Sequence, residues 1–182
     1  MRARARAAFE ATNEPYAMDA WASAEAALAG FGETWRSEKE ATCVAAREEP
    51  GPGVALRELC LDRDLESFGE VGRLLADADA QVVRNAVAAT SRLPDSTRCR
   101  EAAGDLHRLD IAEGERARLR ELDAELLRAR VHLDAGKYDE TKRACASVLG
   151  ALQEGDDPAI EARAHLLHCL LYTSDAADES TC

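Results

Sequence analysis

Aromatic residues make up only 4% of this 182-residue chain, and Val/Ile/Thr-rich runs of the kind that build strands are missing apart from the Val82-Val83 pair. A sheet is therefore not expected. Lysine is confined to Lys39, Lys137 and Lys142, so nearly all positive charge is Arg, which reads as a codon-composition effect. Positive charge is also short overall: the formal net charge is -12, with a sequence pI near 4.8. Such a chain repels phosphate backbones and anionic lipid, so nucleic acid and membrane surfaces are poor partners and a protein or peptide is favoured. No apolar run approaches the ~20 residues that cross a bilayer, so direct membrane insertion of this segment is not expected. The Arg2, Arg4, Arg6 alternation is not followed by a cleavable apolar stretch and reads as a solvated helix start.

What is present is helical. Ala, Leu, Glu and Arg dominate, residues that lose little on entering a helix. Trp21, Ala24, Leu28, Phe31 and Trp35 step by three and four along one face of a long helix opening near Pro15. EEPGPG, residues 48–53, cannot continue it and marks a turn. Leu61, Leu65, Phe68 and Leu75 pattern the next helix, and a link at Asp77–Asp79 leads to a third built on Val83, Ala86 and Thr90. Pro94 breaks that helix, and the region to Gly114 is weakly patterned. Leu119, Leu122, Leu126, Ala129 and Leu133 then precede Ala135-Gly136, followed by Tyr138, Thr141, Cys145, Val148 and Leu152 on a second helix. The pair reads as a helical hairpin. Gly136 suits a left-handed helix end, and Asp157-Pro158 is a cap plus first-turn pair for a last helix carrying Ile160, Ala164, Leu167 and Leu171.

The predicted class is all-α: antiparallel helical hairpins leading into a tetratricopeptide-like α-solenoid. The hairpin around AGKYDET resembles a tetratricopeptide repeat, with Gly then Tyr at the turn and Ala129 at the small-residue position of the first helix. Arg128 and His132 stand where an apolar and an aromatic residue are usual. The helix from Pro158 is similar to the first half of a second repeat. The expected divisions are a helical domain over 1–110, a repeat region over 111–168, and a tail over 169–182.

AFEATNEPYAMDAW (8–21), Trp35, Cys43, LCLDRDLESF (59–68), LLADADAQVVRNAV (74–87) and LPDSTRC (93–99) together resemble the region after the kinase domain in large myxobacterial-type serine/threonine protein kinases with tetratricopeptide repeats. EEPGPG is more compact than the family's link between the first two helices. The resemblance implies a non-catalytic, protein-binding or sensory region acting as a signalling scaffold. The resemblance further implies a place on the extracytoplasmic side of a membrane-anchored kinase, and homodimerisation through the parent protein. A cytoplasmic location and a free-standing repeat scaffold without a kinase stay open beside it. CLLYTSDAADE (169–179) resembles a translated sequencing adapter, so the reading frame is expected to leave a genomic insert near His168.

No catalytic residue, cofactor site or metal site is expected. Cys43, Cys60, Cys99 and Cys145 lack the paired short spacings of structural zinc, and His165, His168 and Cys169 make an incomplete set. His107-Arg108-Leu109-Asp110 is the nearest approach to a kinase catalytic loop, but it carries an inserted Leu and no following Asn at the right distance. Cys43 and Cys60 lie eight residues before Gly51 and nine after it, at similar heights on a hairpin turning there. Two readings stay open: a disulfide in an oxidising compartment, or two small buried thiols. On the repeat's first helix, Asp123, Arg130 and Asp134 are the candidate partner contacts. The competing reading makes them solvated charges paired at four-residue spacing.

Overall fold

The computed structural model describes residues 1–101, 113–153 and 156–179, with side chains left out of account at 113, 116 and 172–179. These residues are all-helical, with no strand among them. The chain divides into two compact units, Met1–Ile111 and Ala112–Cys182. His107-Arg108-Leu109-Asp110 lies outside the described residues.

The first unit contains α1 (Arg2–Ala11), α2 (Ala17–Glu48), α3 (Pro52–Ala76), α4 (Ala80–Ser91) and a 3-10 turn over Ser96–Glu101. Asn13, with φ 57°, reverses the chain between α1 and α2, a left-handed position that Asn tolerates. Pro15 therefore stands just before α2, two residues ahead of Ala17. Phe9, fully buried, meets Trp21 edge to face at 5.5 Å and ties the two helices together. Such a pair contributes about 0.5–1.5 kcal/mol beyond the area it buries. EEPGPG closes α2 against α3, with Pro52 in the first turn of α3. Asp79 caps α4, its carboxylate accepting the Val82 N–H at 2.9 Å, a cap worth about 1 kcal/mol.

α2 and α3 run antiparallel. Trp35 Nε1 donates to the Leu61 carbonyl at 2.8 Å, Lys39 reaches Glu58 and Asp62, and Phe31 stacks on Phe68 at 5.1 Å. The buried stripe of α3 includes Leu61, Asp64, Val71 and Leu75, while Leu65 is exposed. The periodicity places Leu65 inside, but Asp64 takes that inward position because the segment after α4 supplies it with polar partners.

The second unit contains α5 (Glu113–Asp134), α6 (Tyr138–Ala151) and α7 (Pro158–Glu179), each packed on the other two. Gly136 has φ 77°, the Lys137 N–H donates to the His132 carbonyl and the Gly136 N–H to the Leu133 carbonyl. These two bonds are a Schellman closure of α5. Ala129 and Thr141 are fully buried where α5 meets α6, and the Thr141 hydroxyl donates to the Ala129 carbonyl at 3.2 Å. Leu126, Val148, Ile160, Ala164 and Leu167 complete a core on the faces that the periodicity predicts. Asp157 caps α7 by accepting the Ala159 N–H at 2.9 Å. The α7 backbone stays helical through the adapter-like residues to Glu179.

Candidate functional site

The three charges singled out on α5 are all engaged within the second unit. Asp123 pairs with Arg163 of α7, and Arg130 pairs with Asp134 at 3.0 Å, one turn along its own helix. Asp134 is 7% exposed at its side chain and Arg130 39%. Only Arg130 and Asp134 share the four-residue spacing of the competing reading, and the Asp134 carboxylate is buried rather than solvated. Arg118 makes a stronger clamp from the same helix. Its guanidinium holds Asp156 through both nitrogens, one at 3.0 Å, while the Gln153 N–H donates to the same carboxylate at 2.8 Å. The Arg118 bonds, then the Gln153 N–H, hold the Asp156 pKa below the usual carboxylate range.

The proposed pairing of Cys43 with Cys60 is corrected. Cys60 forms its disulfide with Cys99, Cα atoms 5.6 Å apart, and Cys43 is free and exposed. The reason is register. The contacts of Trp35, Lys39 and Phe31 centre the hairpin one to three residues before Gly51. Cys43 therefore sits about five residues, or roughly 7 Å along the axis, from the level of Cys60.

Cys99 arrives from the 3-10 turn, which docks on α2 and α3 through a row of polar bonds. Arg98 reaches Asp64, Arg100 grips Glu38 with two bonds, one at 2.7 Å, and Ser96 Oγ donates to Asp64 Oδ2 at 3.0 Å. Asp64, Glu38 and Ser96 are 1%, 4% and 1% exposed, so α2 and α3 bury two carboxylates and the turn supplies a guanidinium to each. Burial raises the Asp64 pKa above the ordinary carboxylate value, although Arg98, Ser96 and Arg63 each pull it down. The Glu38 hydrogen bonds raise Arg100. Beside the disulfide lies a cavity of about 180 Å³ lined by Glu38, Ala41, Thr42, Arg57, Leu61, Cys99 and Arg100.

Cys60, Asp64 and Cys99 place one sulfur, one carboxylate oxygen and one sulfur within 4.8 Å of one another. Among the described residues this is the one group of three or more ligand-type side chains so gathered. Neighbour spacing misses it because Cys99 comes from 39 residues along the chain. The legible part was the i, i+4 spacing of Cys60 and Asp64 on a helical stretch.

No protein-family model, curated protein or solved structure matches this chain. Among the described residues no helix is long and apolar enough to cross a membrane.

Proposed function

We propose that the chain is a non-catalytic, protein-binding region of a bacterial serine/threonine protein kinase, acting as a tetratricopeptide-type interaction scaffold in signalling. The observation that carries this reading is the second unit's hairpin. A Gly-closed helix pair crosses at two small residues, Ala129 and Thr141, and a third helix lies against both. Stacks of hairpins grow by adding helices in this way, and each added pair extends a continuous surface of fixed side chains. That surface takes up a peptide or partner domain rather than transforming it. The Cys60–Cys99 disulfide supports an oxidising compartment, as expected beyond a membrane span.

The test has two arms. Recovering the gene upstream of Met1 should reveal an in-frame kinase domain followed by an apolar span. A stop codon in that frame would overturn the kinase assignment. Peptide display against the purified chain should yield ligands whose binding is lost when exposed residues of α5 and α7 are changed but kept when those of α1 are. Ligands indifferent to α5 and α7 would overturn the scaffold assignment.

A further inference from the structure

We propose that the Cys60–Cys99 disulfide is the oxidised form of a zinc site, and that its reduced form holds one zinc ion on Cys60 Sγ, Cys99 Sγ and Asp64 Oδ2. The three ligand atoms lie within 4.8 Å of one another, the two sulfurs held together by the bond that reduction opens, and Cys99 Sγ is 3.6 Å from Asp64 Oδ2. Two of the ligands stand one helical turn apart on α3 and face the same way, and the third is delivered by the 3-10 turn. Thiolates are soft ligands that select zinc over the hard cations, and zinc also accepts a carboxylate oxygen.

The surroundings fit a metal as well. Arg98 binds Asp64 through Oδ1, and its other nitrogen lies 3.7 Å from Cys60 Sγ. Ser96 donates to Oδ2 and fixes the plane of the carboxylate. Outer hydrogen bonds of this kind orient metal ligands. A dication on two thiolates and one carboxylate carries a net charge of minus one, which the Arg98 guanidinium balances. Cys60 is partly exposed, which offers the ion a way in and lets a solvent water serve as the fourth ligand.

The chemistry balances in two steps. In an oxidising compartment the disulfide is the resting form, and a dithiol reductant delivered there transfers two electrons to the Cys60–Cys99 bond, giving two protein thiols and the reductant's own disulfide. Zinc then displaces the two thiol protons to solvent and forms two zinc–sulfur bonds and one zinc–oxygen bond.

Cobalt(II) is the direct probe on the full chain, reduced with a phosphine. One equivalent should produce thiolate-to-cobalt charge-transfer absorption and tetrahedral d–d bands, both removed by one equivalent of zinc. The unreduced chain should show neither. Cys60→Ser and Cys99→Ser should abolish the charge-transfer band or halve it, and Asp64→Asn should weaken binding by about tenfold or more. A chain with Cys43, Cys145, Cys169 and Cys182 changed to Ser should keep the full signal. On the unaltered reduced chain, zinc should shield Cys60 and Cys99 from alkylation, mapped by mass spectrometry, and this readout does not depend on any variant folding. Reduced chain that binds no cobalt, or zinc that leaves both thiols as reactive as before, would show the bridge to be a staple only.

Discussion

At position 136 the backbone turns with φ 77°, and a Cβ there would crowd the carbonyl that follows it. Gly136→Ala should destabilise the second unit by about 1 kcal/mol, read as a lower urea midpoint with the slope unchanged. The opposite sign is expected at Gly30, inside α2, where a Cβ would meet nothing within 4 Å. Gly30→Ala should stabilise by roughly 0.5–1 kcal/mol, because it removes only unfolded-state freedom and lost helix propensity. Equal effects at the two positions would show that backbone conformation is not what separates them. Gly136 could be read from the chain because its role is local: a helical stripe ends, a glycine follows, and a second stripe begins. Asp64 could not. Leu65 is the apolar neighbour, and only the arrival of Ser96 and Arg98 from a distant segment makes burial of the carboxylate tolerable.

Between elements, the link from α6 to α7 depends on Arg118 of α5 holding Asp156. Because the folded-state pKa of Asp156 lies below its unfolded value, the clamp's stabilisation is fully present above the unfolded value, near 3.9. It is lost as pH falls through the folded value. Asp156→Asn should therefore lower the second unit's Tm at pH 7, and its deficit against the parent should shrink steadily below about pH 4. Melting curves from pH 7 to 2 check this, and a deficit independent of pH would remove the ionic clamp from the account. The helices themselves were legible because a 3.6-residue stripe needs only its own segment to be recognised. Their mutual register was not. EEPGPG permits a hairpin centred on any of several residues, and a shift of one to three was enough to carry Cys43 away from Cys60. The charged residues of α5 were placed on the right helix, but the sequence does not show that Arg163 would return from α7 to meet Asp123.

Across the whole molecule, the two units are held by different means. The second relies on hairpin packing and the Arg118 clamp, whereas the first carries a covalent closure joining residues 39 apart. A loop of that length removes enough unfolded-state freedom to stabilise the first unit by about 3–4 kcal/mol. Reduction in metal-free buffer should withdraw that contribution from the first unit alone. Arg98 on Asp64 and Arg100 on Glu38 would still dock the 3-10 turn, so the native arrangement persists as a less protected state rather than collapsing. Hydrogen exchange read by mass spectrometry distinguishes the units directly. Peptides from α3 and α4 should exchange faster after reduction, by a factor in the hundreds where opening is global, since each 1.4 kcal/mol is about tenfold. Peptides from α5 and α6 should exchange at their former rates, because neither sulfur of the bridge belongs to their unit. Acceleration shared equally by both sets would mean that the bridge constrains the chain as one body, and no acceleration in α3 and α4 would mean that the polar row alone holds the turn.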